Sequence, residues 1–286
     1  GDVYKRQGYD YATIMVPGFD FYEGLERQSA ESVSLNEGGV IGCRHAFDRH
    51  PWPDPDQADY DILDRVSGDL PRGMKLVLYT PGGVLENVVS LVGYEALCYM
   101  LVDDPQLVED IFAQVGTRLL GYYQRAVRHE SIGACFSNDD WGFKTGPLLS
   151  PSALRRLVFP WHKRFVEVIH AAGKPAILHS CGKFDKIIDD VIDNMGFDGR
   201  HSYEDNIMPV EDAYERYHQR IAILGGIDVD FVCQSSPEEV YERSKAMLER
   251  VDGRGGYALG TGNSVPEYVP DANYLALVYA ALDMRA

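Results

Sequence analysis

The chain has 286 residues, 45% of them apolar, and a formal net charge of −17. That is enough apolar material for a sizeable core, in one large α/β barrel or two small domains. The acidic balance argues against non-specific binding to nucleic acid or anionic membranes, and no apolar run approaches the roughly 20 residues needed to cross a bilayer.

Residues 1–7 follow neither helix nor strand logic and lack an initiator Met. They read as a scar or fragment end, with native sequence expected before them. A strand is predicted over 11–17, and two short strands over 32–35 and 38–44 joined by a turn at 36–39. The Pro- and Asp-rich stretch 47–64 reads as a surface excursion. From residue 74 the pattern becomes regular. Strands are predicted at 74–79, 134–137, 175–181, 197–203, 221–224 and 256–260. Helices follow at 85–100, 103–129, 150–172, 184–194, 209–220, 236–253 and 271–284. Ser150-Pro151 and Ser236-Pro237 each supply a Ser cap with Pro just inside the helix.

Strands alternating with helices imply a parallel sheet. Seven such units with polar residues at every strand exit fit a single domain over 8–286. The expected fold is a (β/α)₈ TIM barrel lacking its first strand. A doubly wound open sheet is the alternative, but no Gly-x-Gly-x-x-Gly follows a strand.

In a barrel the C-terminal strand ends form one rim, where chemistry sits. Taken in order, the exits offer Tyr79, Asp139 and Asp140, His179 and Cys181, His201 and Glu204, Asp228, and Asn263 and Ser264. The plain alternative for a strand-end Asp is a helix cap or turn, and Asp228 in particular could simply cap the segment after it. Cys43, Cys98, Cys135 and Cys233 read as small buried apolar residues. His162 and His170 read as surface or packing residues, and His45 and His50 as a weak pocket pair. Five cysteines without framework spacing suit a reducing compartment. With no signal-peptide pattern visible, a cytoplasmic location is expected.

His179 and Cys181 stand apart. Alternation along a strand puts both on one face. Imidazole and thiolate are preferred zinc ligands, and a catalytic zinc site takes three protein ligands and keeps one position open. The third ligand is expected from a neighbouring strand end, Glu204 first and His201 second.

Several stretches resemble the uroporphyrinogen decarboxylase superfamily. They are Asn138-Asp-Asp-Trp-Gly142, Gly146-Pro-Leu-Leu-Ser-Pro151, Leu178-His-Ser-Cys-Gly182, Leu224-Gly-Gly-Ile-Asp228 and the run from Leu259 to Pro270 with Asn273. The resemblance implies a (β/α)₈ barrel with its site on the C-terminal rim. Its decarboxylase branch works without a cofactor, using an Arg-rich N-terminal segment and a His in the last exit. Neither is present here, and Asp20 is only loosely placed for that branch's Asp. His179-Ser-Cys181 matches instead the corrinoid-dependent methyltransferase branch, which carries His-x-Cys on the fifth strand and binds zinc to activate a thiol. That branch has a further Cys in the last exit. Here the position falls at Gly260 to Ser264, which holds no Cys, so Glu204 or another group must substitute.

The resemblance therefore implies a zinc-assisted methyltransferase, with the methyl group carried on a corrinoid bound to a partner protein. Zinc would sit on His179, Cys181 and Glu204. Asp140, His201, Asp228 and Asn263 are the expected catalytic residues, and Tyr79, Asp139 and Ser264 the expected substrate contacts. A small-molecule substrate is expected, and homodimerisation is left open. Decarboxylation of a porphyrinogen in porphyrin biosynthesis is the alternative. A silent small-molecule-binding barrel is the third.

Overall fold

The computed structural model describes residues 9–22, 35–36 and 39–285. Seven parallel strands cross one sheet in chain order. They are β1 Tyr11–Met15, β2 Lys75–Tyr79, β3 Ile132–Asn138, β4 Ala176–His179, β5 Gly199–His201, β6 Ala222–Leu224 and β7 Tyr257–Ala258. Parallel neighbours require crossover connections, and right-handed crossovers that never reverse the strand order curl a sheet one way. The result is an α/β fold of the TIM-barrel type, with seven strands in its main sheet among the described residues. The doubly wound alternative needs a reversal of strand order, and none occurs among the described residues. The two sheet edges face each other across a cleft of about 870 Å³, lined by Tyr11 and Tyr79 on one side and Tyr257 and Leu277 on the other. Arg285 and Asp10 pair across it at 2.5 Å.

Helices pack on the outside of the sheet, Phe159–Ala171 against β4 and Val210–Tyr217 against β6. In β2, Leu76, Val77 and Leu78 are all buried, as expected where side chains pack on both faces. In β4, Ala176 and Leu178 face the helices and are fully buried, while Ile177 and His179 face the interior and are partly open. The capped helix predicted from Ser236 runs Pro237–Val251. Glu239 N–H donates to Ser236 Oγ at 3.3 Å, and Ser236 N–H donates to Glu239 Oε2 at 2.7 Å.

The departures have local causes. The helix expected over 85–100 is two, Val84–Val92 and Tyr94–Asp103, bent by 91°. Gly93 between them sits at φ +89°, where a helix cannot continue. The helix expected over 150–172 breaks into Pro151–Leu157 and Phe159–Ala171, because Pro160 lacks the N–H and crowds the preceding turn. Over 184–194 the apolar spacing places Phe184, Ile187, Ile188 and Val191 in the core as expected. The backbone there is turns followed by a π-helical stretch, Asp190–Met195.

The excursion 47–64 holds two short helices, Arg44–Arg49 and Asp61–Ser67, anchored by buried Phe47 and Leu63. The strand expected at 32–35 falls mostly outside the described residues, and 39–43 form no strand. Of the cysteines expected to be buried, Cys135 is, Cys233 is half-buried, and Cys43 and Cys98 are exposed. No single described helix is long and apolar enough to cross a membrane.

Candidate functional site

The register of β3, β4 and β5 assembles the rim. Asn138 pairs with His179, and His179 pairs with His201. Two residues past the first pair, Asp140 comes opposite Cys181. The Cys181 N–H donates to Asp140 Oδ1 at 2.8 Å. His179 Nε2 lies 3.9 Å from Asp140 Oδ1 and 4.0 Å from Cys181 Sγ. One donor atom from each of the three residues lies within 4.8 Å of the others. Tetrahedral zinc with bonds of about 2.0–2.3 Å holds its ligands about 3.3–3.6 Å apart. His179 Nε2 lies about half an ångström beyond that spacing from both the oxygen and the sulfur, so the three donors suit zinc once they draw together.

Hydrogen bonds converge on the sulfur. Ser202 Oγ–H and Asn263 Nδ2–H each donate to Cys181 Sγ at 3.4 Å. Burial, with Asp140 beside it, pushes the free thiol up to about 11, while the Ser202 bond works the other way. Burial pulls His179 below the ordinary imidazole range, reinforced by Arg200 and opposed by Asp140. Burial and the adjacent His179 take His201 down to about 4. Both rings are therefore neutral at physiological pH and available to lone-pair chemistry.

The loops carrying Asp140 and Cys181 are locked together. A Cβ on Gly182 would lie 2.5 Å from the Gly142 Cα, and Lys183 N–H donates to the Phe143 carbonyl at 3.0 Å. Trp141 N–H donates to Ser180 Oγ at 3.1 Å between the same two loops.

Other predicted residues take different places. Asp139 does not reach the cleft: it is fully buried, and its carboxylate accepts from Leu85 N–H at 3.0 Å and Glu86 N–H at 2.9 Å. It also meets His162 Nε2 at 2.8 Å, so it braces the helix after β2. Asp228 is the cap that its position allowed, accepting from Asp230, Phe231 and Asp205 N–H groups. Glu204 is not in the ligand cluster. The chain turns after Ser202, with the N–H groups of Ile207 and Met208 on the Glu204 carbonyl. Its side chain lines a separate small pocket beside Arg200 and Tyr203. Asp140 stands where Glu204 was expected.

His201 lies behind His179, their Nδ1 atoms 2.6 Å apart. Asn263 and Ser264 line the cleft, with Asn263 turned to the sulfur. Tyr79 lines it too, stacked on Phe136 at 4.9 Å with the planes 1° apart. Asp20 accepts from Tyr22 N–H in a local turn. His50 Nε2 meets the Phe21 carbonyl at 3.2 Å, while His45 is exposed.

Glu86 was not foreseen. It lines the cleft with His179 and His201, and its Oε2 accepts from Gly83 N–H at 2.8 Å. Burial, then Asp139 and Asp140, push this carboxyl up to about 8. Its signal was the spacing Gly83-x-x-Glu86 directly after a strand exit, which aims a third-position acid back at the rim.

A family model for uroporphyrinogen decarboxylase (URO-D) matches residues 67–283. The fold is similar to that of a methyltransferase from Methanosarcina mazei, with a TM-score of 0.64 and 19% identity over 88% of this chain and 70% of that one. It is also similar to a protein described as a vitamin-B12 independent methionine synthase from Listeria monocytogenes, with a TM-score of 0.56 and 14% identity over 99% and 84% of the two chains. At these identities the likeness is one of fold. No curated protein matches the chain.

Proposed function

The chain belongs to the uroporphyrinogen decarboxylase (URO-D) family, and on that footing we propose that it is a zinc-assisted methyltransferase. It exchanges a methyl group between a small heteroatom-bearing substrate and a corrinoid held by a partner protein. The observation that carries this reading is the convergence of Asp140, His179 and Cys181 donor atoms within 4.8 Å at the rim. The methyltransferase of similar fold adds support.

His179, Cys181 and Asp140 would hold zinc and leave one position open to substrate. When bound, zinc polarises the heteroatom that gives or takes the methyl group and lowers the pKa of a thiol on it. Ser202 and Asn263 hold the Cys181 sulfur and offset the charge of its thiolate. The Cys181 amide fixes Asp140. Tyr79 and Phe136 give the cleft a flat aromatic wall, and Glu86 keeps a proton there near neutral pH.

Two measurements test this reading. Metal analysis of the purified protein should find zinc near one per chain, lost in His179→Ala and in Cys181→Ala. Methyl transfer between cob(I)alamin and an ether or amine donor should be detectable. Conversion of uroporphyrinogen to coproporphyrinogen, without zinc, would replace this reading with decarboxylation.

A further inference from the structure

The two imidazoles at the rim form a directed chain that ends on a backbone carbonyl. His201 Nε2 lies 3.0 Å from the Thr261 carbonyl oxygen. His201 Nδ1 lies 2.6 Å from His179 Nδ1. A carbonyl only accepts, so His201 Nε2 carries a hydrogen. A neutral ring has one N–H, so His201 Nδ1 is bare and accepts from His179 Nδ1–H. His179 is then left with a lone pair on Nε2. That is the atom 3.9 Å from Asp140 Oδ1 and 4.0 Å from Cys181 Sγ.

The reverse direction needs a charged imidazolium at His201. The ring sits against His179, Phe136 and the Thr261 carbonyl, surroundings that supply no counter-charge to an imidazolium. Among the described residues, no carboxylate is bonded to it. The slot is also shaped for the ring. A Cβ on Gly225 would lie 2.8 Å from His201 Cδ2 and 2.9 Å from its Nε2, and would collide with the Thr261 carbonyl oxygen. Register pairs the two histidines, and their ring centroids lie 4.9 Å apart with the planes only 27° apart, which sets the rings edge to edge.

The geometry points to His201 as a positioning residue, through which the Thr261 carbonyl fixes the His179 tautomer that presents a bare Nε2 to a divalent metal ion. The use of that lone pair rests on the metal reading above, but the tautomer itself does not. Partners of this kind, behind a ligating histidine, orient the ring and raise its basicity.

The test uses the full chain, metal-free and labelled with ¹⁵N-histidine. Long-range ¹H–¹⁵N spectra should show His179 protonated at Nδ1 and bare at Nε2, and His201 the opposite. A hydrogen on His179 Nε2 would overturn the inference. Zn²⁺ competition against a chromophoric chelator then reads the consequence. His201→Leu should weaken binding by about 10–100-fold, and His201→Gln, which can donate and accept at once, should recover part of it. Unchanged affinity in His201→Leu would also overturn the inference. If the unmodified chain binds no Zn²⁺ while the spectra show the expected tautomers, the metal reading fails and the relay stands.

Discussion

Asp139 and His162 form a carboxylate–imidazole pair 2.8 Å apart with neither side chain exposed. The other ring nitrogen of His162 meets Ser137 Oγ at 3.0 Å. One residue further on, Asp140 is part-exposed at the rim and accepts from the Cys181 N–H. Adjacent acids thus divide the labour, one holding a helix and the other serving the site. Removing the imidazole takes one hydrogen-bond donor from a buried carboxylate, so His162→Ala should lower stability by about 1–3 kcal/mol. Urea unfolding followed by circular dichroism measures it, and a loss below about 1 kcal/mol would show that the pair is not closed in solution.

The ligand assignment separates two carboxylates. Asp140→Asn should weaken Zn²⁺ binding by more than the roughly 10–100-fold that loss of an outer partner costs. Glu204→Gln should change it far less, because Glu204 lies outside the cluster and acts on Cys181 only through its charge. Chelator competition on both variants decides between them, and equal losses would return Glu204 to the ligand set.

Metal affinity should depend on pH through one proton. The free Cys181 thiol sits at about 11, whereas His179 is held below the ordinary imidazole range and is already neutral near pH 7. Of the two, only the thiol has a proton for the metal to displace. Affinity should rise about tenfold per pH unit between about pH 7 and 9, with about one proton released per metal. Titration calorimetry in buffers of different ionisation heat counts that proton.

Glu86 should make stability fall as pH rises. Its carboxyl titrates at about 8 in the folded chain, against 4.5 for the unperturbed group. Between these values the unfolded chain releases a proton that the folded chain keeps, so this contribution is fully present below about pH 4.5 and lost as pH rises through about 8. Glu86→Gln retains an oxygen for the Gly83 N–H and removes the titration. The variant should gain on the unmodified protein from pH 5 to pH 8 in urea unfolding. A constant difference between the two would refute the shift.

The sequence carried the barrel and the pair at its rim, because both follow from periodicity. Strand–helix alternation implies a parallel sheet, and alternation along one strand puts His179 and Cys181 together. The partners come from register, which one chain's pattern does not encode. Asp140 joins the pair because Asn138 aligns with His179, and His201 because it aligns with His179 on the other side. Asp139 and Asp140 look alike in sequence, and only the helix packed over Asp139 separates them. Glu204 was expected at the site on strand-end logic, but the turn after Ser202 takes it away.

The two glycines that touch behind the site carry a consequence for how it fills. Gly142 and Gly182 let the loops bearing Asp140 and Cys181 rest backbone on backbone, so the ligands stand assembled before anything enters. Loading should need little rearrangement and cost little ordering entropy, with a small heat-capacity change because no apolar surface is newly covered. The site would work as a socket: its walls stand before the ion arrives, and filling it only draws the donors inward.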